Sequence, residues 1–475
     1  MEKYKRLGNN ILLMTAGSFG SKLLTFLLVP LYTSVLSTEE YGIADIISTT
    51  IILVAPVFTL QISEAMMRFL LDPDADRDAV ISCSAVVSFI GFALFLLLSP
   101  VILLFEQIRE FYPLFIVHYI ASTFYTFMSQ VAKGTNDIKA YSFAGVLNTA
   151  IVVVSNLMLL FVFNLGIRGY IISFFIGHVI ACTYLILKTR IYLLAGKSFN
   201  FDKKTLKKML RYSVPMIPTS ISWWINNSSD KYMITFMAGA SAVGIYAIAY
   251  KIPSLLSTIS SIFMGAWQIS SVENFGSREN ALFFSDIYRK IASLNTLAVA
   301  FLVTFAKPIA SVLFAKDFYV AWEYAIVLVL AYLFSSLSAF LGSIYTASKK
   351  TTALFYTAAA GAVLNVCLNF FLIPLMGAMG AAISTLLTYA IIWGIRMVHT
   401  RRYIVLEVDM LRNLVSWCIL GVMAFAVYFG FNYYWVVVTL CMASVCILNR
   451  KVIGTLYSTA MHAVKSIGRP HRDEK

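Results

Sequence analysis

Charge is scarce in this chain. Only 13% of its 475 residues are Asp, Glu, Lys or Arg, and acids are the rarer sign, 23 against 37 Lys and Arg. Ordinary soluble domains carry about 25% charged residues, so a water-facing catalytic domain is excluded, and no long polar stretch remains to build one. Cysteine is also sparse. Cys83, Cys182, Cys367, Cys418, Cys441 and Cys446 stand singly with no CxxC spacing, and most lie in apolar runs, where they read as small buried hydrophobes. The five histidines form no HxxxH pair, so no metal site is expected. There is no phosphate-cradling loop of the G-x-x-x-x-G-K-[ST] type and no nucleophile–base motif. No cofactor, no enzyme activity and no direct use of ATP are expected.

Apolar residues are abundant instead. They make up 60% of the chain, and mean hydropathy is +0.80. Runs of about 20 apolar residues, each long enough to cross a bilayer, recur from end to end. They predict an all-α integral membrane protein with about fourteen spans, at 9–36, 41–67, 79–104, 111–132, 141–164, 167–187, 212–237, 243–268, 289–313, 322–346, 352–374, 378–398, 411–430 and 434–449. The basic N-terminus leads into an apolar run without a small-residue cleavage site, which reads as a first span rather than a signal peptide.

Basic residues set the orientation. With the N-terminus inside, thirty of the 37 Lys and Arg fall in inner segments, including the block 188–211 and the tail from Arg450. Only Arg109, Arg168, Lys307 and Lys316 fall outside. By the positive-inside rule both termini are cytoplasmic. The +14 net charge is then mostly a topology signal, reinforced by anionic headgroups, and nucleic-acid binding is not needed to explain it. Three lysines are left over inside the spans: Lys22, Lys231 and Lys251. A charge there costs roughly 2.5–3.5 kcal/mol on insertion scales unless it faces protein or water. Three of one sign point to a polar interior that receives an anion.

The chain also reads as doubled. The block 188–211 follows the sixth span, so a second six-span set would start from the same side. Tyr41-Gly42-Ile43 resembles Val243-Gly244-Ile245, and Leu165-Gly166-Ile167-Arg168-Gly169 resembles Met376-Gly377-Ala378-Met379-Gly380. These offsets predict an N-terminal six-helix lobe at 1–197 and a C-terminal one at 198–400, related by a pseudo-two-fold axis along the membrane normal. Two extra helices and a basic tail follow at 401–475. Doubled lobes of this kind usually serve transport by alternating access.

Two groups of strings carry a family resemblance. The first is Ser21-Lys22-Leu23-Leu24, Pro30-Leu31-Tyr32 and Glu39-Glu40-Tyr41-Gly42. The second is Val214-Pro215-Met216-Ile217-Pro218, Ser222-Trp223-Trp224, Ser229-Asp230-Lys231-Tyr232 and Val243-Gly244-Ile245-Tyr246. Over about residues 1–400 the chain resembles bacterial Wzx-type polysaccharide flippases of the multidrug/oligosaccharidyl-lipid/polysaccharide exporter superfamily. The resemblance implies a V-shaped pair of lobes. It also implies movement of undecaprenyl-pyrophosphate-linked oligosaccharide from the inner to the outer leaflet of the bacterial plasma membrane, for surface polysaccharide synthesis.

The candidate site residues follow from chemistry. Lys22 lies near the middle of the first span on a mildly polar face with Ser18, Ser21 and Thr25. Trp223, Asn226, Asn227, Asp230 and Lys231 share about 140° of one helix. Asn and Trp suit sugars, and lysine suits a phosphate as a compact point charge. Lys251, on the order of 12 Å below the outer surface, either joins the site or pairs with Asp230. Gln61, Glu64 and Arg68 are spaced to share a helix face, with Glu64–Arg68 an i,i+4 pair at a gate, a cavity rim or merely the membrane edge. Glu64 and Asp230 are the candidates for Na⁺ or H⁺ coupling. The membrane potential alone is the other possible drive.

The expected partners are prenyl-pyrophosphate-linked oligosaccharide and membrane lipids, with a polysaccharide polymerase and glycosyltransferases as candidate protein partners. The alternatives are a cation-coupled drug or small-molecule antiporter of the same superfamily, a lipid II flippase, and a non-transporting scaffold of polysaccharide assembly.

Overall fold

In a computed structural model of the chain, residues 20, 22–72, 74–189, 200–273, 278–348 and 350–454 are described. All regular structure among them is helical. The chain divides into two compact units. One comprises Met1–Lys251, Leu313–Tyr319 and Asn369–Ala378, and the other Ile252–Val312, Val320–Leu368 and Met379–Lys475. This division by packing falls after Lys251, whereas the repeat read from the sequence divides at the basic block 188–211.

The first unit contains α1 (Lys22–Val35), α2 (Thr38–Phe58), α3 (Ile62–Leu70), α4 (Arg77–Leu98), α5 (Tyr112–Gly134), α6 (Ile138–Asn156), α7 (Gly166–Thr189), α8 (Lys203–Ser213), α9 (Met216–Ala238) and α10 (Ala240–Ala249). One core of this unit is apolar: Ile62, Met66, Val80, Cys83, Met128 and Met209 pack together. Serine starts α2. The Ser37 hydroxyl accepts the Glu40 N–H and the Glu40 carboxylate accepts the Ser37 N–H, a closed capping box. Glu40 also accepts the Ile167 N–H at 3.4 Å, tying the start of α2 to the start of α7.

The two strings that repeat in the sequence meet each other here. A Cβ on Gly42 would lie 2.0 Å from the Ala240 carbonyl oxygen, and one on Gly244 would lie 1.9 Å from the Thr38 carbonyl oxygen. Glycine lets the two backbones touch, as small residues do at membrane helix crossings. Thr38 and Ser241 hydroxyls bond across the same crossing at 2.7 Å.

The second unit contains most of α11 (Lys251–Glu273) together with α12 (Arg278–Thr304), α13 (Ala306–Leu313), α14 (Ala321–Ala347), α17 (Met410–Phe429) and α18 (Tyr434–Leu448). It also takes most of α15 (Thr351–Met376) and α16 (Ala378–His399). At its centre is α14, whose Leu333, Leu337, Phe340, Leu341 and Ile344 are fully buried. Tryptophans line this helix and satisfy their N–H groups as buried indoles must. Trp267 donates to Ser343 at 2.8 Å, Trp393 to Tyr288 at 2.9 Å, and Trp417 to Thr296 at 3.2 Å.

Several expected spans need correction. Among the described residues, nine helices are long and apolar enough to cross a membrane, or ten if α10 and α11 form one bent span. The expected fourteen are not all found among the described residues. Of the first expected span, 9–36, residues 9–19 and 21 lie outside the described residues, and α1 is a shorter apolar helix. Tyr434–Leu448 has only 15 residues. The 23-residue α5 and α9 are diluted by Tyr, His, Ser, Asn, Asp and Lys.

Two runs break internally. The run 41–67 is α2 and α3, separated at Leu60 and Gln61, which adopt φ of 50° and 52°. Pro56 lies in the last turn of α2, removes one backbone donor there and weakens the continuation. The run 243–268 bends by 43° between α10 and α11, just before Pro253, whose missing N–H loosens the ladder there. Inside the basic block, α8 forms a separate amphipathic helix that hydropathy alone does not single out.

Candidate functional site

The ionisable residues that the sequence singled out do not form one cationic cluster. In the first unit α2, α9, α10 and the start of α11 bring two acids and two lysines together. Lys231 on α9 pairs with Asp45 on α2, Nζ lying 2.8 Å from Oδ2 and donating to Oδ1 at 3.1 Å. Both side chains are nearly enclosed, 15% and 16% exposed. The shorter contact lies off the hydrogen-bond direction, so it acts as a charge contact and Oδ1 takes the hydrogen bond. Asp230, one residue earlier, is buried. It accepts the Tyr246 hydroxyl at 2.6 Å and the Lys231 N–H at 2.9 Å. Lys251 is the first residue of α11, within electrostatic range of the Tyr170 hydroxyl, as are Asp45 and Tyr41.

Aromatics wall this cluster. Tyr32, Tyr41 and Tyr170 pack with ring centroids 4.9–6.1 Å apart. Tyr232 bonds Thr50 on α2, and the Trp224 indole donates to the Thr49 carbonyl at 2.9 Å. Both residues of the string Tyr41-Gly42 therefore act mechanically. Gly42 admits α10, and Tyr41 closes the ring wall beside the acids. With two acids and two lysines at low exposure the cluster is charge-balanced, as the cost of buried ions requires. Lys231, expected to be a freer cation, is committed to Asp45.

Reading the sequence for cations alone misses Asp45. Its signal is there: it is the only acid between Glu40 and Glu64, set in an apolar run and thus as costly as the lysines.

The remaining candidates are dispersed. Lys22 is exposed on α1 and makes no ion pair among the described residues; Ser18 and Ser21, expected beside it, lie outside them. On α9, Trp223 is 65% exposed, and Asn226 and Asn227 are exposed. Both amides turn back on their own helix, to the Ser222 carbonyl at 3.0 Å and the Trp223 carbonyl at 2.7 Å. Buried Trp224, Ser228 and Asp230 occupy other positions on this helix.

The expected Gln61–Glu64–Arg68 stripe does not form, because Gln61 is in a left-handed conformation at the start of α3. Its amide reaches Ser220 at 2.5 Å. Glu64 accepts Gln130 at 2.5 Å. Arg68 pairs with Asp72 at 2.6 Å instead of Glu64, and both partners are half exposed. No group of three or more metal-ligating side chains occurs among the described residues.

In the second unit the notable charge is Arg396, which by sequence counts only as an inner-side cation. It is buried and donates to the Ser338 carbonyl at 2.9 Å and the Thr357 hydroxyl at 3.1 Å, joining α14, α15 and α16 without a carboxylate partner in any described ion pair.

The chain is a multi-pass helical membrane protein, and its fold is found in known structures. The structure resembles that of a lipid II flippase, MurJ, in an inward closed conformation, with TM-score 0.71 and 16% identity over 95% of this chain and 100% of that one. It also resembles an inward-facing multidrug resistance MATE family transporter of the MOP superfamily, with TM-score 0.64 and 16% identity over 80% of this chain and 94% of that one. A third likeness is to a MOP superfamily transporter from Pyrococcus furiosus whose binding pocket has reversed polarity, with TM-score 0.54 and 15% identity over 83% and 95%. At these identities the likeness is one of fold. No curated protein matches the chain. The profile of the polysaccharide biosynthesis protein family matches residues 7–268, and the chain belongs to that family.

Proposed function

We propose that this protein is a flippase that carries prenyl-pyrophosphate-linked oligosaccharide units from the cytoplasmic to the outer leaflet of the bacterial plasma membrane. Both termini are cytoplasmic in this reading, and the repeats 1–197 and 198–400 alternate access around the headgroup. The observation that supports it most is the exposed face of α9. Trp223, Asn226 and Asn227 are open on a 23-residue helix, where facing lipid would leave each amide oxygen without a donor. Facing water, the same groups offer a ring for a sugar face and amides for hydroxyls. Lys22, exposed and unpaired among the described residues, supplies the charge for the pyrophosphate, while the tail stays in lipid. Lys251 and Arg68 remain secondary candidates for phosphate contact.

No bond is made or broken in such a step, so no catalytic group is assigned. The drive is the membrane potential, worth about 2.3 kcal/mol per charge per 100 mV for an anion leaving a negative interior.

A second reading rests on Asp230. A buried carboxylate held by a neutral hydroxyl on α10 is a group that can take a proton or Na⁺, which suits ion-coupled flipping or the antiport of a small molecule; Glu64 is the weaker candidate for that role. Lipid II as the cargo uses the same pyrophosphate chemistry. Export of surface polymer in cells lacking the chromosomal copy discriminates among these. Lys22→Ala and Asn226→Ala/Asn227→Ala should abolish it at normal protein level. Retention of export in both would favour the scaffold role, and rescue of a lipid II flippase defect would redirect the cargo.

A further inference from the structure

We infer that α8 is a docking surface for anionic phospholipid headgroups of the inner leaflet. The helix is 11 residues long, so about 16 Å. At 100° per residue its cations Lys203, Lys204, Lys207, Lys208 and Arg211 fall within about 140° of arc. All five are exposed, and none forms an ion pair among the described residues. The opposite face is occupied: Met209 is buried in the apolar core of the first unit, with Leu206 and Leu210 packed against it. The nearest acid, Asp202, is spent on the helix start, where it accepts the Lys204 and Thr205 N–H groups and the Thr205 hydroxyl.

A basic face alone is common on the inner side of membrane proteins. Two further features favour lipid here. The helix ends three residues before Met216, where α9 begins, so it lies at headgroup depth in any orientation that lets α9 span. Aromatic rings flank the cations and stay open: Phe201 is 39% and Tyr212 43% exposed, and exposed aromatics at that level are interfacial anchors. Basic clusters on amphipathic helices attract anionic lipid, whereas a soluble acidic partner would leave the two rings unused.

The test uses the full chain in mixed micelles containing equal phosphatidylglycerol and phosphatidylcholine, with retained lipid counted by native mass spectrometry. The wild type should retain phosphatidylglycerol in preference. The preference should fall roughly fivefold for each cation removed, through Lys203→Gln, Lys207→Gln and Arg211→Gln combined. Lys203→Arg/Lys207→Arg, which keeps the charge, should retain it. Unchanged thermal unfolding of the Gln variant certifies its fold, and the exposed positions make this the expected result. Equal retention of both lipids by the wild type overturns the inference. So does an undiminished preference in the folded Gln variant. Displacement of the lipid by millimolar inorganic phosphate would assign the face to a free anion and overturn the lipid assignment.

Discussion

Separating Asp45 from Lys231 should destabilise the first unit, and removing both should cost far less than the two single losses added together. At 2.8 Å and an effective dielectric of about 20, the attraction is about 6 kcal/mol before desolvation is subtracted. Broken buried pairs cost about 3–5 kcal/mol, and exposed ones about 0–1 kcal/mol. With both partners about 15% exposed, Asp45→Asn or Lys231→Met alone should cost about 2–3 kcal/mol. The double variant leaves no orphan charge and should cost about 2 kcal/mol, a coupling of roughly 3 kcal/mol. The assay is reversible unfolding in mixed micelles titrated with dodecyl sulfate. Strict additivity, with coupling under about 0.5 kcal/mol, would refute the pairing. The swap Asp45→Lys/Lys231→Asp adds a second check, since it should recover stability that either single reversal loses.

Other outcomes follow from the same geometry. Gly42→Ala and Gly244→Ala each drive a Cβ to about 2 Å of a carbonyl oxygen. Each should therefore cost about 3 kcal/mol, the upper range for overpacking, and unchanged unfolding of either would contradict the crossing. Arg396→Gln removes two charge-assisted bonds that hold three helices and should cost about 2–4 kcal/mol; a loss below about 0.5 kcal/mol would show that the guanidinium holds nothing. The Thr205 hydroxyl first, then the Thr205 and Lys204 N–H groups, hold the Asp202 carboxyl below its usual range. A depressed carboxylate stabilises above its unfolded value of about 3.9, and that contribution disappears as pH falls through the lower folded value. Hydrogen exchange across 204–213, corrected for intrinsic rates, should rise in that acid window, and Asp202→Asn should remove the pH-dependent part. A flat wild-type profile would count against the cap.

Much of this architecture was legible in the sequence, because it follows from local rules. Apolar runs mark helices whatever they pack against. The Gly-Ile strings resemble each other in sequence, and the structure brings Gly42 and Gly244 face to face. Less legible were features set by partners distant in sequence. Glu64 and Arg68 have ideal spacing for a pair within one helix, yet Gln130, far away in sequence, takes Glu64, and Asp72 takes Arg68; the left-handed turn removes only Gln61 from their stripe. Pro56 and Pro253 stand beside both breaks, a local signal that a reading by uninterrupted hydropathy passes over. Asp45 shows that acids in apolar runs need counting beside lysines. Tyr246, the partner of Asp230, looks in sequence like any other tyrosine near a membrane edge.

The most direct test is leaflet transfer in vesicles carrying the purified protein, with a fluorescent prenyl-pyrophosphate oligosaccharide in one leaflet and an impermeant quencher outside. Wild-type vesicles should transfer the lipid, and faster when the potential drives anions outward. Lys22→Gln should transfer more slowly at equal reconstitution. Transfer no faster than in protein-free vesicles, or equal transfer by wild type and Lys22→Gln, would contradict the account.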